Sequence, residues 1–201
     1  MMAVQKIVLY AENPAPLRQR SKPVKGVNRH TRKLIQDLKD TLNAHAEGIG
    51  LAAPQINVHF RLVLVRLNAG NEAGGEPDPP IALVNPQIIE AADEQLDFDG
   101  CLSFPGIYAN TIRPHHLRVT GLDEDGKPFN RLFTGFDAVV VHHEIDHLNG
   151  VLFIDRVEKF EDLYQLREDE NGRFHRVPII TSQGQSGAVF GRAASLGELH
   201  G

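Results

Sequence analysis

The 201-residue sequence lacks several features that would place it in a special class of protein. It has one cysteine, Cys101, which excludes an internal disulfide framework. It has no apolar run near the roughly 18 residues that suggest a membrane span. Its lysines and arginines are scattered and its formal net charge is −5, so the basic stripe of a nucleic-acid binder is missing. We therefore expect no membrane segment and no direct nucleic-acid binding.

The N-terminal stretch MMAVQKIVLYAENPAPLRQR also lacks the charged start, long apolar core and cleavage site of a secretory signal. This predicts a cytoplasmic protein. Because 41% of the residues are hydrophobic and 23% are charged, the composition is that of an ordinary globular protein. A chain of this length buries roughly 70% of the surface that its unfolded form exposes, which favours one compact domain.

Two segments have the periodicity of helices. From Asn28 to Ala46, charged residues separate apolar ones, which predicts an amphipathic helix with Asn28 as its N-cap and Gly48 just beyond its end. From Phe136 to Asn149, apolar residues occupy nearly every side, which predicts a buried helix that stops at Gly150. Carboxylates in a buried helix need partners, because an unpaired buried charge is costly. A metal ion would be such a partner.

Short strands are predicted between these helices. Phe60–Leu67 alternates like a half-buried strand, and residues 81–89 form another that is ended or bent at Pro86. Residues 116–135 form a hairpin around the turn Asp125-Gly126. The order helix, strands, helix predicts an α+β fold, in which short antiparallel strands pack around a buried central helix and an amphipathic helix lies near the N-terminus.

Two segments lack such patterns. Residues 68–80 are rich in glycine and proline and predict a surface loop. The hydrophobic pattern weakens after Phe160, so we divide the chain into a metal-dependent domain, residues 1–160, and a C-terminal extension, residues 161–201. We expect this extension to be partly disordered or packed on the domain, with disorder in the last two dozen residues.

The stretch VVVHHEIDHLNG contains an H-E-x-x-H motif made by His143, Glu144 and His147. On a helix, residues four apart share one face, so two imidazoles can bind one divalent metal while Glu144 faces a bound water. His142 points away by one helical step, and we expect it at the surface or hydrogen-bonded. A catalytic metal also needs a third protein ligand and one open position.

The motif alone does not choose the third ligand. Cys101 lies upstream in DGCLSFPG, where Gly100 allows close approach of the backbone, and a thiol beside a metal would be held as thiolate. An ordinary H-E-x-x-H zinc peptidase would instead take its ligand downstream, where the candidates are Asp155, Glu158 and His175. A third segment, EGIGLAAPQI, places the polar Gln55 among small and apolar residues and needs an explanation.

Together and in this order, three segments resemble the motifs of the peptide deformylase family. They are GIGLAAPQ at residues 48–55, DGCLS at residues 99–103 and HEIDH at residues 143–147. The resemblance extends over roughly residues 7–154. The sequence departs from the family pattern in having Asp99 where glutamate is usual, in the insertion at residues 68–80 and in its C-terminal tail.

This resemblance implies removal of the N-formyl group from the N-terminal formyl-methionine of newly synthesised proteins, with release of formate. It implies one divalent metal held by Cys101, His143 and His147; the family commonly uses Fe²⁺, and Zn²⁺, Ni²⁺ or Co²⁺ can occupy the same ligands. Glu144 would then be the general base. The side chain of Gln55 and the backbone N–H of Leu102 would donate hydrogen bonds to the developing oxyanion.

The resemblance also implies a peptide site. The methionine side chain would enter a pocket formed by Ile49, Tyr108, Phe136, Val139 and Val140, and the backbone of Gly48, Ile49 and Gly50 would pair with the extended peptide. Asp99 would pair with Arg113 and support the segment that carries Cys101. The partners implied are formyl-methionyl nascent peptides, with a transient contact to the ribosome. Two alternatives stay open: the zinc peptidase, and a homologue that binds metal without catalysis.

Overall fold

The computed structural model describes residues 4–69 and 78–179. The elements in chain order are the helices α1 (Ala15–Arg18), α2 (Arg29–Asn43) and α3 (Gly135–Asn149), and the strands β1 (Gly50–Ala52), β2 (Leu62–Val65), β3 (Ile81–Gly100), β4 (Ile107–Leu122), β5 (Pro128–Thr134), β6 (Leu163–Glu168) and β7 (Phe174–Pro178). Short 3₁₀ helices cover Ala53–Ile56, Phe153–Arg156 and Phe160–Asp162. The mixture of helices with antiparallel strands confirms the α+β class. No helix in the described ranges is long and apolar enough to cross a membrane.

The described strands form one antiparallel sheet in the order β1-β2-β3-β4-β6-β7, with β5 also paired to β4. The long strand β4 therefore has two partners along one edge, β6 at residues 107–109 and β5 at residues 116–122. The predicted hairpin is present, and Asp123 closes its turn by accepting hydrogen bonds from the backbone N–H groups of Asp125 and Lys127.

Strand β2 lies between two helices. Val63 and Val65 pack in the same core cluster as α3, whereas Leu62 and Leu64 pack in the cluster that contains Leu38 and other residues of α2. All four residues of β2 are buried. The predicted half-buried strand is therefore wrong in its exposure, because both faces of this part of the sheet are covered.

Helix α2 begins as predicted, since the Asn28 side chain accepts hydrogen bonds from the backbone N–H groups of His30 and Thr31. It ends at Asn43 with Ala44 as C-cap, so the expected stop near Gly48 is wrong. Helix α3 ends at Asn149, and its C-cap Gly150 has φ +76° and donates its N–H to carbonyls of the last turn. This left-handed conformation favours glycine.

Strand β3 does not end near Pro86 but continues to Gly100. The bend there is a bulge: the register shifts between Val84 and Gln87, and Asn85 has φ +51°. Asn85 tolerates this conformation, and its side chain bonds the backbone of Val24 through both amide atoms. The continued strand leads directly into Cys101.

Beyond residue 160, β6 and β7 form a hairpin that joins β4. Leu163 and Tyr164 of this hairpin are buried, so the sheet continues past the predicted domain boundary and this part of the extension packs on the domain. Most of the predicted loop at residues 68–80, and residues 180–201 where disorder is expected, lie outside the described residues.

Candidate active site

Cys101, His143 and His147 converge at one point between α3 and the end of β3. The Nε2 atom of His147 lies 3.3 Å from Cys101 Sγ and 3.2 Å from His143 Nε2. In the described part of the chain, these are the residues whose donor atoms cluster closely enough for a metal, all within 4.8 Å. Cys101 is half-buried and both histidines are buried.

These distances are slightly shorter than those between two ligands of one tetrahedral metal ion. Bond lengths of about 2.0–2.1 Å to nitrogen and about 2.3 Å to sulfur place ligand atoms about 3.3–3.6 Å apart in that geometry. The Nδ1 atom of His143 donates to Asp99 Oδ1 at 2.6 Å, which directs its Nε2 toward the cluster. The three residues could therefore hold one divalent ion.

The downstream ligands of the zinc-peptidase alternative are not part of this cluster. Asp155 pairs with Arg18 and accepts a hydrogen bond from the backbone N–H of Leu152. His175 lies on β7 and contacts Asp169. The upstream Cys101 is the third residue at the site.

Glu144 lies beside the cluster with its carboxylate buried. Its Oε2 atom has no hydrogen-bond partner among the described residues. Burial raises the pKa of this carboxyl group to about 7, because water no longer solvates the charged form. A carboxyl group with a pKa near neutrality is suited to accept and release a proton.

The side chain of Gln55 is held by two sets of contacts. Its Oε1 atom accepts from the backbone N–H of Ala52 at 2.8 Å. Its Nε2 atom donates to Ser103 Oγ at 3.2 Å and lies 3.4 Å from Cys101 Sγ. The amide N–H groups therefore face the thiol, which explains a polar residue in this apolar segment. The contact with Ser103 was not predicted, although Ser103 belongs to the DGCLS motif.

Asp99 and Arg113 form a buried pair, with Arg113 Nε 2.7 Å from Asp99 Oδ2. Burial alone would raise the pKa of Asp99, but the positive charges of His143 and Arg113 outweigh it and hold this pKa well below its usual range. The network is larger than the sequence indicates. Arg113 also contacts Asp146, and Asp146 is held by Arg156. Asp146 lies within the HEIDH motif, so the sequence drew attention to it. Arg156 lies outside the motifs, and nothing in the sequence pointed to its contact with Asp146.

His142 is hydrogen-bonded, one of the two situations expected for it. It lies half-buried, 3.2 Å from Arg113 Nη1, and contacts Arg156. It contributes to the charge network behind the site and not to the ligand cluster.

A cavity of about 590 Å³ opens onto these groups. It brings together every residue expected to contact substrate: Gly48, Ile49, Gly50, Gln55, Leu102, Tyr108, Phe136, Val139 and Val140. Phe98 and Leu166 also line it and were not predicted. Val139 and Val140, which also line it, are 2% and 7% exposed, and we call the part of the cavity that they line its deep end.

A cluster of one thiol and two imidazoles beside a buried carboxylate and a cavity is an arrangement suited to metal-dependent hydrolysis. Comparison with known proteins defines the family. The Polypeptide deformylase family model matches residues 4–162. The chain belongs to the peptide deformylase family, as the sequence motifs predict.

Known peptide deformylases match this chain over most of its length. A peptide deformylase of Thermomicrobium roseum is 40% identical over 169 residues, which cover 84% of this chain and 94% of that protein. The crystal structure of Ehrlichia chaffeensis peptide deformylase in complex with actinonin matches with a TM-score of 0.71 at 33% identity, covering 80% of this chain and 92% of that one. The Acinetobacter baumannii enzyme bound to Met-Ala-Ser matches with a TM-score of 0.70 at 29% identity, covering 78% of this chain and all of that one, 100%. The zinc-peptidase alternative receives no support.

Proposed function

We propose that this protein hydrolyses the N-formyl group of formyl-methionyl peptides and releases formate. The observation that carries the proposal is the clustering of three possible metal-ligating residues, Cys101, His143 and His147, next to one cavity. Cys101 and His143 line this cavity together with Glu144 and Gln55. The Met-Ala-Ser bound to the Acinetobacter relative is the product that such a reaction would leave from formyl-Met-Ala-Ser.

Cys101, His143 and His147 would hold one divalent metal. When bound, the metal lowers the pKa of a water molecule and polarises the formyl carbonyl group. One sulfur and two nitrogen ligands suit Fe²⁺, Zn²⁺, Ni²⁺ and Co²⁺, and we propose Fe²⁺ as the native ion because the family commonly uses it. Asp99 supports this site by accepting the Nδ1–H of His143 and by pairing with Arg113.

In the proposed reaction, Glu144 accepts a proton from the attacking water as a C–O bond forms at the formyl carbon. It then passes the proton to the peptide nitrogen as the C–N bond breaks, which yields formate and a free amine. The side-chain amide of Gln55 and the backbone N–H of Leu102 stabilise the oxygen that gains negative charge. Gln55 is held for this role before substrate binds, because its Oε1 atom is already bonded to Ala52.

The proposed substrate lies along β1. The methionine side chain enters the deep end of the cavity, between Val139, Val140 and the rings of Tyr108 and Phe136. The peptide backbone pairs with residues 48–50 as an added strand. Such nascent chains would be met in the cytoplasm, near the ribosome, and both the location and a transient ribosome contact belong to the proposal.

Product analysis tests the proposal. Anaerobically purified protein loaded with Fe²⁺ or Ni²⁺ should convert formyl-Met-Ala-Ser into equal amounts of formate and Met-Ala-Ser. Acetyl-Met-Ala-Ser is the matched control and should react far more slowly. Cleavage between Met and Ala, without formate release, would contradict the proposal and indicate a peptidase.

A further inference from the structure

Three aromatic or aliphatic residues that line the cavity are partly exposed to solvent, and we call them the apolar rim: Phe98, Tyr108 and Leu166. These residues come from three different strands, β3, β4 and β6. Phe98 is 38% exposed and Leu166 is 36% exposed, whereas Val139 at the deep end is 2% exposed. The apolar rim is therefore more exposed to solvent than the deep end.

Strand register places the apolar rim on one face of the sheet. Gly100 lies opposite Tyr108, and Tyr108 lies opposite Tyr164. Directly opposed residues share a face, as do residues two apart in a strand, so Phe98 and Leu166 lie on the same face as Tyr108. The rings of Phe98 and Tyr108 stack with centroids 5.3 Å apart. A Cβ atom at Gly100 would lie 2.9 Å from the Tyr108 ring, so this glycine leaves room for the ring.

Leu166 belongs to the hairpin that follows the family match, which ends at residue 162. The hairpin is fixed against β4 by Tyr164, which is 1% exposed and whose ring lies 6.5 Å from that of Tyr108. On its other side, the Arg176 guanidinium lies 4.7 Å from the Tyr164 ring centre. Leu166 is therefore held in the apolar rim by buried contacts.

We propose that the apolar rim binds the side chain of a residue that follows the methionine, and that it favours formyl-peptides with an apolar residue there. This inference rests on the proposed function. The deep end accounts for the methionine, and the rim lines the same cavity. Tyr108 borders both parts, because it belongs to the proposed methionine pocket and stacks on Phe98 of the rim. An apolar side chain placed between Phe98 and Leu166 would remove its own surface and theirs from water. A serine or aspartate in its place would gain nothing from these contacts.

Peptide comparison tests this specificity. The wild type should have a kcat/KM about three- to tenfold higher for the better of formyl-Met-Leu-Ser and formyl-Met-Ala-Leu than for formyl-Met-Ala-Ser, as expected when part of a leucine is buried. Leu166→Ser and Phe98→Ser should each reduce this preference toward one, through KM and with kcat nearly unchanged. Leu132→Ser is the matched control, because Leu132 is 42% exposed on β5 and does not line the cavity.

Calorimetric binding of Met-Leu-Ser, Met-Ala-Leu and Met-Ala-Ser to the metal-loaded protein gives a readout independent of turnover. The same preference should appear in Kd and should weaken in the two rim variants. Equal affinity and equal kcat/KM for all three peptides, or a preference that both rim variants retain, would overturn the inference. Absence of formate release with a retained binding preference would instead refute the proposed function alone.

Discussion

Glu144 follows His143 on α3 and faces Gly50 of β1, where a Cβ atom would lie 2.7 Å from the Glu144 carboxyl carbon. The Glu144 carboxylate can lie in this position, beside the proposed metal ligands, because residue 50 has no side chain. A displacement of about 1 Å at a catalytic group can lower turnover some 100-fold. At the residue scale, the Glu144 side chain occupies the space that a side chain at residue 50 would need, and glycine leaves this space free.

Gly50→Ala should therefore lower kcat by about 10- to 100-fold while the three ligands retain metal, because the added methyl group displaces Glu144 and leaves the ligands in place. The measurement is formate release at equal, independently determined metal content. In a Glu144→Ala background, the same change should have little further effect on kcat. Additive losses in the double variant would show that residue 50 acts through something other than Glu144.

At the scale of elements, α3 and β3 carry the site and are tied together by buried charges. Asp99 at the end of β3 accepts hydrogen bonds from His143 of α3 and from Thr111 and Arg113 of β4. Arg113 is 1% exposed and joins Asp99 to Asp146. His143, Asp146 and the segment that leads to Cys101 are thus held in one hydrogen-bonded network.

Asp99→Ala should lower metal retention and activity together, each by about 10- to 100-fold, because His143 loses the acceptor that orients its ring. It should also cost roughly 3–5 kcal/mol in stability, since Arg113 is left buried with an unbalanced charge. Asp99→Glu should be tolerated, because it keeps a carboxylate for Arg113. Asp97→Ala, on the same strand but outside the network, is the control. Full metal content and full kcat/KM in Asp99→Ala would contradict this role.

Sequence periodicity predicts a helix at residues 136–149, and α3 in the structure is Gly135–Asn149, because a run that is apolar on all sides and ends at a glycine has few alternatives. The second half of β3 could not be predicted. Residues 89–94 are exposed, and it is pairing with β4 that makes them a strand. The same limit applies to the site: the ligands stand in short motifs, whereas Arg156 and Leu166 reach it only through tertiary folding.

At the scale of the whole molecule, the described strands form one sheet, and its last hairpin, β6–β7, lies beyond the family match. Leu163 and Tyr164 are 2% and 1% exposed, and Leu163 packs in a core cluster with Leu17 and Phe153. The predicted boundary at residue 160 therefore falls just before residues that complete a core. We propose that residues 1–160 carry the catalytic groups and that the first part of the extension is needed for their stability.

A chain that ends at residue 162 should be less stable than one that ends at residue 179 by about 3–6 kcal/mol, since it loses two large buried side chains. Urea unfolding of the two chains measures the difference in their free energies of unfolding. This difference is due to the hairpin, because the two chains differ only in residues 163–179. Leu166→Ser, which changes a half-exposed side chain of the same hairpin, should cost less than about 1 kcal/mol. Equal unfolding midpoints for the two truncated chains would show that the hairpin does not stabilise the domain.

The central claim is that a metal held by Cys101, His143 and His147 works with Glu144 to hydrolyse a formamide. It is tested most directly by comparing formate release by the wild type and Glu144→Ala at measured metal content. Glu47→Ala is the control, since Glu47 is an exposed carboxylate that also lines the cavity. We predict that Glu144→Ala keeps near-stoichiometric metal and loses at least about 100-fold in kcat, because the general base is removed and the ligands are spared, while Glu47→Ala changes little. Full kcat in Glu144→Ala, or loss of metal in proportion to activity, would contradict the account.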